Sequence, residues 1–471
     1  MKITTIIGVP GAGKTTHLSR LYFEYGWDIY SNTLVTGLTN ATIKAFLSKI
    51  GLDYKQYGAR TVYGLAFMEL YRLGLLQDHE VKKLSSNFKK EYIQQFKAKY
   101  GYNITYRKLE IINQIFLKSI LRYKTSKHWE EFKIDLEIHK IPLWVAKQIY
   151  DDYKSGNYFD YVFLLERALH EDLNFFNIYQ MRLKSDTVEK IVPERIVIDE
   201  FQDFPAILFK KVLECENVKE LYLAGDPAQE IFSFLETDVD FILKYTHAKD
   251  YLTQTYRFGE AISNLANRLL QEMGYEYKIK PHNIKSKVFR FKFNWSDFLS
   301  ILYKTYRKLN EIAILTRTRS QAYDIFNKLK ERNYPVINLE KFEYEKIQLI
   351  MDTIRNLKKL KPEKGEGIRF YIKTEKEKLI EILQREGLSP EYIKLALQLL
   401  HAKKKIFVST IHNVKGLEFE SVFLINDLPD LILKMLYSNN NKYLEELKVF
   451  YTGITRAKKL LVIWDGDRSF I

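Results

Sequence analysis

The sequence predicts an α/β fold with parallel β-strands, and two features of its apolar pattern indicate this. Several short runs are continuously apolar, as a strand covered on both faces of a parallel sheet requires. Stretches of helical periodicity separate these runs, and such alternation is typical of α/β proteins. The predicted strands are Ile3–Ile7, Arg195–Ile198, Leu221–Ala224, Glu311–Leu315, Ile406–Ser409, Val422–Ile425 and Leu460–Trp464.

Two segments depart from this alternation and are interpreted as helical insertions. The first lies at about 71–185 and is rich in basic residues. Its aromatic side chains at positions 88, 92, 96 and 100 repeat every four residues, which favours one buried helix face over a surface that stacks bases. The second insertion lies at about 340–404.

Composition limits the class of protein. The chain has 471 residues, enough for several domains, and its formal net charge of +15 predicts a polyanionic partner, with nucleic acid preferred to an anionic membrane. The single cysteine, Cys215, excludes an internal disulfide and a multi-cysteine zinc site. No apolar run is long enough to span a membrane, so we expect a soluble, intracellular protein without membrane attachment.

The segment GVPGAGKTT at residues 8–16 indicates a phosphate-binding loop. It follows the first predicted strand and begins a helical pattern, a context that disfavours a glycine turn with a chance lysine. Glycines allow backbone N–H groups to surround phosphate oxygens, Lys14 adds positive charge, and the Thr15 hydroxyl can join a magnesium shell. The predicted ATP-binding residues here are Gly8, Pro10, Gly11, Ala12, Gly13, Lys14, Thr15 and Thr16.

An acidic cluster, DEFQD at residues 199–203, follows the predicted strand that ends at Ile198. Asp199 at the strand's carboxyl end is predicted to bind Mg²⁺ together with Thr15. Glu200 can orient the water that attacks the γ-phosphate. A phosphate loop combined with such a cluster predicts an ATPase that uses ATP and Mg²⁺.

Seven segments, in order, resemble the motifs of superfamily 1A helicases of the UvrD/Rep type. They are VTGLTNAT (35–42), ARTVYGLAF (59–67), DEFQD (199–203), GDPAQEIFSF (225–234), TYRF (255–258), STIHNVKGLEF (409–419) and FYTGITRA (450–457). The resemblance runs from Gly8 to Ala457. It implies two RecA-like P-loop motor domains with ATP between them, each a parallel sheet covered by helices and interrupted by a helical insertion.

The resemblance also implies domain boundaries. Motor domain 1A, with the phosphate loop and DEFQD, would comprise residues 1–70 and 186–250, interrupted by insertion 1B at 71–185. Motor domain 2A would comprise residues 251–339 and 405–471, interrupted by a reduced insertion 2B at 340–404.

The resemblance also implies roles in nucleotide binding and hydrolysis for further residues. Gln229 would sense the γ-phosphate, and Arg257 and Arg456 would be arginine fingers that neutralise charge developing on it. Tyr256 would lie against adenine, and Glu418 would reach the ribose or the network beside the phosphates.

The resemblance likewise implies a set of DNA contacts. Phe232 and Phe234 would stack on bases, a grip that is insensitive to sequence, although packing in a core is the alternative for both side chains. Thr410 and His412 would touch the DNA backbone, with a structural role as the alternative for His412. The DNA-binding residues predicted in this way are Thr39, Asn40, Tyr63, Phe232, Phe234, Thr410 and His412.

The leading hypothesis is an ATP-dependent DNA helicase or translocase that moves 3′→5′ on single-stranded DNA and acts at junctions between single and double strands. Its expected location is the cytoplasm or nucleoid. One alternative is a translocase that remodels protein–DNA complexes and unwinds weakly. A small-molecule P-loop kinase would explain the phosphate loop but leave the later motifs without a role.

Overall fold

The computed structural model describes residues 1–52, 59–124, 129–177, 179–182, 188–342, 344–359, 368–401, 404–438 and 440–470. The chain divides into two compact units. The first unit contains Met1–Ile7, Lys14–Pro227 and Phe232–Tyr251. The second contains Gly8–Gly13, Ala228–Ile231 and Leu252–Ile471, so the glycine-rich part of the phosphate loop groups with the second unit.

The first unit is built on a six-stranded sheet with the strand order β3-β2-β6-β7-β1-β8. The four neighbouring pairs from β3 to β1 are parallel. Strands β4 and β5 form a separate antiparallel pair. The strands are β1 (Lys2–Gly8), β2 (Thr33–Gly37), β3 (Arg60–Thr61), β4 (Tyr179–Arg182), β5 (Val188–Ile191), β6 (Arg195–Asp199), β7 (Glu220–Gly225) and β8 (Ala248–Leu252).

Helices of the first unit cover this sheet and form a helical region between β3 and β4. They are α1 (Lys14–Glu24), α2 (Asn40–Lys49), α3 (Val62–Arg72), α4 (Asp78–Lys83), α5 (Ser86–Tyr100), α6 (Tyr106–Tyr123), α7 (Trp129–Ile138), α8 (Leu143–Lys154), α9 (Tyr161–His170), α10 (Ala206–Leu213) and α11 (Val239–Lys244). The prediction of a buried aromatic face on α5 is confirmed. Tyr92 and Phe96 are buried, and Phe88 and Tyr100 pack against the same core.

The second unit is built on a six-stranded, entirely parallel sheet with the order β11-β12-β10-β13-β14-β9. Its strands are β9 (Lys287–Lys292), β10 (Glu311–Thr316), β11 (Val336–Asn338), β12 (Lys405–Thr410), β13 (Phe419–Asn426) and β14 (Ala457–Asp465). Its helices are α12 (Glu260–Glu272), α13 (Trp295–Lys308), α14 (Arg319–Glu331), α15 (Tyr344–Lys359), α16 (Ile368–Arg385), α17 (Pro390–His401), α18 (Asp430–Ser438) and α19 (Asn440–Ile454).

The α/β fold class is confirmed, with two six-stranded sheets covered by helices. All seven predicted strands are present, corresponding to β1, β6, β7, β10, β12, β13 and β14. The strands that the apolar pattern did not predict are mainly short or near a sheet edge, because charged and polar residues interrupt their apolar runs. The four-part domain division stays a prediction.

No helix within the described ranges combines the length and the apolar character needed to span a membrane.

Candidate functional site

The phosphate loop lies between the end of β1 and the start of α1. Gly11 and Gly13 adopt φ angles of +74° and +82°, a left-handed conformation that glycine adopts at little steric cost. Helix α1 begins at Lys14, so its first N–H groups lack helical acceptors and suit an anion. This backbone fits the predicted phosphate site.

Within the second unit, residues 8–13 are fixed by the segment that contains TYRF. Thr255 Oγ1 donates a hydrogen bond to the Pro10 carbonyl oxygen at 2.7 Å, and Tyr256 N donates to that of Gly11 at 2.9 Å. A Cβ atom added to Gly11 would lie 2.6 Å from the Cβ atom of Arg257. Position 11 therefore requires glycine for both its conformation and its space.

In the first unit, Thr15 and Asp199 meet as the predicted magnesium site requires. Thr15 Oγ1 donates to Asp199 Oδ2 at 2.6 Å. Hydroxyl and carboxylate oxygens are ligands that suit Mg²⁺, so the two side chains fit the ion. Burial raises the pKa of Asp199, and the neighbouring charge of Glu200 acts in the same direction.

Glu200 has an unusual backbone conformation for a residue with a side chain. Its φ and ψ angles are 57° and 46°, in the left-handed region. Such angles are disfavoured for most residues other than glycine and often occur at functional sites. Gln202 Nε2 donates to Glu200 Oε2 at 2.6 Å, and Gln202 Oε1 accepts from Asp226 N at 3.0 Å.

Gln202 is therefore a site residue that the motif-based prediction left without a role. It is fully buried and connects the Glu200 carboxylate to the loop after β7. A Cβ atom on Gly225 would lie 2.2 Å from Gln202 Oε1, so glycine is required there too. The glutamine inside DEFQD was the available signal, but the sequence did not reveal its partners.

Arg456 and Gln229 are in direct contact within the second unit. Arg456 Nη2 donates to Gln229 Oε1 at 2.6 Å, and its other nitrogens donate to the carbonyl oxygens of Thr452 and Leu417. Lys415 Nζ donates to the Gln229 carbonyl oxygen at 2.7 Å. Arg456 is only 1% exposed, so its guanidinium group is held by protein acceptors.

Arg257 forms a second ionic group in the same unit. Its Nε donates to Glu418 Oε2 at 2.9 Å, and its Nη1 donates to the Thr455 carbonyl oxygen at 3.0 Å. Glu418 also pairs with Lys458 at 2.6 Å. Tyr256 directly precedes Arg257 and exposes 63% of its surface, so its ring is accessible to a planar ligand.

The first three predicted DNA-binding residues lie at or near helix starts. Thr39 caps α2, because its Oγ1 accepts a hydrogen bond from Thr42 N at 3.3 Å. Asn40 follows at the exposed first position of that helix. Tyr63 lies in the first turn of α3, with its ring 6.2 Å from that of Tyr161.

Phe232 and Phe234 are both partly buried. Their rings contact each other edge to face, with centroids 5.9 Å apart, and both pack against the core of the first unit. Packing therefore accounts for one part of each ring, while base stacking by the remainder stays a prediction.

Thr410 and His412 lie just after β12, and the structure gives each a protein environment. Thr410 is buried, and its Oγ1 donates to Glu340 Oε1 at 2.9 Å. The His412 side chain is half-buried beside cationic Arg317, Lys415 and Arg319. Burial, with those charges, lowers the pKa of His412 to about 3, so its imidazole is neutral near pH 7.

Glu340 is a further residue that the motif pattern did not identify. Its fully buried carboxylate accepts hydrogen bonds from Ser409 Oγ at 2.9 Å and from Thr410 N at 2.7 Å, besides Thr410 Oγ1. It also pairs with Arg319 at 2.9 Å. Glu340 therefore fixes the backbone where the STIHNVKGLEF segment leaves the sheet. It lies 69 positions before Ser409, so local sequence gives no signal of the contact.

Comparison with known proteins adds independent evidence. Residues 351–465 match the UvrD-like helicase C-terminal domain. This match is consistent with the resemblance of the chain to UvrD/Rep-type helicases.

Among the curated proteins that this chain resembles, a probable DNA helicase II homolog from Mycoplasma genitalium is 30% identical over 36% of this chain and 24% of its own length. A probable DNA helicase from Mycoplasma pneumoniae is 27% identical over 57% of this chain and 42% of its own length. The ATP-dependent DNA helicase Rep of Buchnera aphidicola is 39% identical over 12% of this chain and 9% of its own length. The chain thus spans less than half the length of these relatives.

Replacing Glu340 tests its positioning role. Glu340→Ala should lower the free energy of unfolding by about 3 kcal/mol or more, because three donors lose a buried acceptor and Arg319 loses its partner. Glu340→Gln should lower the free energy of unfolding by less, because its amide oxygen can still accept hydrogen bonds. Urea unfolding followed by circular dichroism measures both.

Glu331→Ala, on the exposed surface of α14, is the control and should change stability by no more than about 0.5 kcal/mol. A cost for Glu340→Ala as small as that of the control would contradict the role assigned to the buried carboxylate.

Proposed function

We propose that this chain is an ATP-dependent helicase or translocase that moves 3′→5′ along single-stranded DNA. The observation that carries the proposal is the hydrogen bond between Thr15 and Asp199, directly before the left-handed Glu200. A phosphate loop beside an acidic pair suits nucleoside triphosphate hydrolysis. The net charge of +15 and the names of the relatives favour DNA as the polymer.

For ATP binding, we assign the phosphates to the N–H groups of the loop and to Lys14. Thr15 and Asp199 would hold Mg²⁺, which neutralises phosphate charge when it is bound. Burial raises the pKa of Asp199, so a bound cation would be needed to favour the ionised carboxylate. Exposed Tyr256 would stack on the base.

Glu200 would orient the water molecule that attacks the γ-phosphate. Its carboxylate requires a fixed direction for that task, and the Gln202 amide supplies a hydrogen bond that restrains it. Because Gln202 also accepts from Asp226 N, the loop after β7 and the proposed base are linked through one side chain.

The two arginines would neutralise charge on the transferred phosphoryl group. Arg257 is oriented by Glu418 and the Thr455 carbonyl oxygen, and Arg456 by Gln229. Gln229 is three residues before Phe232, so its contact with Arg456 provides a route from the nucleotide to the proposed base-stacking aromatics. ATP can drive stepping along DNA only if it binds one conformation more tightly than another.

For DNA binding, we assign backbone contacts to the starts of α2 and α3 and to the segment after β12. Neutral His412 would act through hydrogen bonds instead of charge. Glu340 would hold Thr410 N and Thr410 Oγ1 in place, which makes Thr410 a residue that shapes this segment as well as a candidate contact.

Loss of the proposed catalytic groups should abolish DNA-stimulated ATP hydrolysis. Lys14→Ala removes the positive charge assigned to phosphate binding, and Glu200→Gln removes the proposed base. Each change should lower turnover by at least about 100-fold. Steady-state phosphate release with and without oligo-dT measures the effect. Lys49→Ala and Glu216→Gln, both exposed, are controls and should match the wild type. Wild-type turnover in Lys14→Ala or Glu200→Gln would contradict the site assignment.

Direction of movement is tested with duplexes that carry a single-stranded tail at either the 3′ or the 5′ end. The proposed polarity predicts ATP-dependent strand displacement from the 3′-tailed duplex alone. Streptavidin displacement from a biotinylated single strand, measured in parallel, reports movement without unwinding. Activity confined to the 5′-tailed substrate would overturn the polarity, and streptavidin displacement without strand separation would favour the remodelling alternative.

A further inference from the structure

A cavity of about 320 Å³ lies in the second unit, between β11 with the turn that follows it and helix α17. Its volume is within the roughly 300–1,000 Å³ typical of small-molecule sites. None of the nucleotide or DNA residues assigned above lines it. Its lining combines aromatic rings, an amide and charged side chains, a composition that suits an amphipathic ligand.

Asn338 supplies the observation that points to a ligand. It lines the cavity and is only 4% exposed. Its Oδ1 accepts a hydrogen bond from Glu340 N at 2.9 Å, which fixes the amide orientation. Its Nδ2 has no hydrogen-bond partner among the described residues. Buried donors are rarely left unpaired, so a ligand that presents an acceptor would satisfy Nδ2.

The other lining residues indicate which chemical groups that ligand would carry. Phe326 and Phe342 offer apolar ring surface, while Lys341 and Lys394 are exposed cations at the rim. Exposed Glu391 is an acceptor on the same rim. A nucleobase has a flat apolar face, carbonyl acceptors and, in most bases, an exocyclic amine donor, and its phosphate carries negative charge.

We infer that this cavity binds one nucleotide, with its base against the phenylalanines and Asn338 Nδ2 and its phosphate near Lys341 and Lys394. The nucleotide belongs to single-stranded DNA, and this part of the inference rests on the proposed function. A free nucleotide would offer the same base and phosphate groups, and the tests distinguish it from single-stranded DNA. The site would give the chain a hold on DNA outside the family motifs.

The first test compares charge reversals in DNA binding. Fluorescence anisotropy with labelled dT20 is measured at several salt concentrations for wild type, Lys341→Glu/Lys394→Glu and the control Lys304→Glu/Lys308→Glu, whose lysines are exposed on α13. We expect about 10-fold weaker binding by the cavity variant. Its log–log salt slope should be shallower by about 0.7, as for one lost phosphate contact, and by more than the control's.

The second test locates the base. Oligo-dT containing 5-iodouracil is photocrosslinked, and modified peptides are mapped by mass spectrometry; Phe326 or Phe342 should carry the crosslink. Asn338→Asp retains the acceptor for Glu340 N but removes the Nδ2 donor, so the crosslink yield should fall at least several-fold. Circular dichroism verifies that this variant is folded, and the lysine variants test the site independently.

Two results would overturn the inference while leaving the proposed function intact. One is a wild-type chain with DNA-stimulated ATPase whose crosslinks fall entirely outside the cavity. The other is a cavity variant that binds dT20 like the control. A crosslink with 5-iodo-dUMP but not with the oligonucleotide would assign the cavity to a free nucleotide and overturn the strand as its source. Failure of wild type to bind DNA or hydrolyse ATP would overturn the proposed function itself.

Discussion

The proposed nucleotide site depends on the contact between the Thr15 hydroxyl and the Asp199 carboxylate in the first unit. This contact joins the first turn of α1 to the end of β6, residues 184 positions apart in sequence. The parallel order β6-β7-β1 makes the contact possible, because it brings the carboxyl ends of these strands to one edge of the sheet. Glu200, Gln202 and Asp226 then extend from that edge through two further hydrogen bonds.

Buried ionic groups in the second unit are satisfied by specific acceptors and donors. Arg456 is held by Gln229 and two carbonyl oxygens, and Glu340 by Ser409, Thr410 and Arg319. Removing one partner from such a group leaves a desolvated charge, which costs more than the bond itself is worth. These groups therefore fix the directions of side chains that the proposed mechanism requires. Asn338 Nδ2, in contrast, is one of several buried side-chain atoms of this unit that have no hydrogen-bond partner among the described residues.

The sequence was sufficient for the central strands and the phosphate loop, because continuous apolar runs and a glycine-rich turn are local signals. Edge strand β9 was missed because lysine and arginine interrupt its apolar residues, and β11 because it has only three residues. Gln202 was visible only as part of a motif, and Glu340 had no signal at all, since its partners follow about 70 positions later. Long-range hydrogen bonds of this kind depend on the folded topology.

The central claim, that Thr15 and Asp199 form a cation-dependent nucleotide site, is tested most directly by ATP affinity with and without Mg²⁺. A fluorescent ATP analogue is titrated into wild type and Thr15→Val, which has nearly the same shape but lacks the hydroxyl. The account predicts that Mg²⁺ strengthens binding to wild type by at least about tenfold, or 1.4 kcal/mol. It predicts that this gain is lost in Thr15→Val while affinity in EDTA is unchanged. An equal Mg²⁺ effect in both proteins would contradict the account.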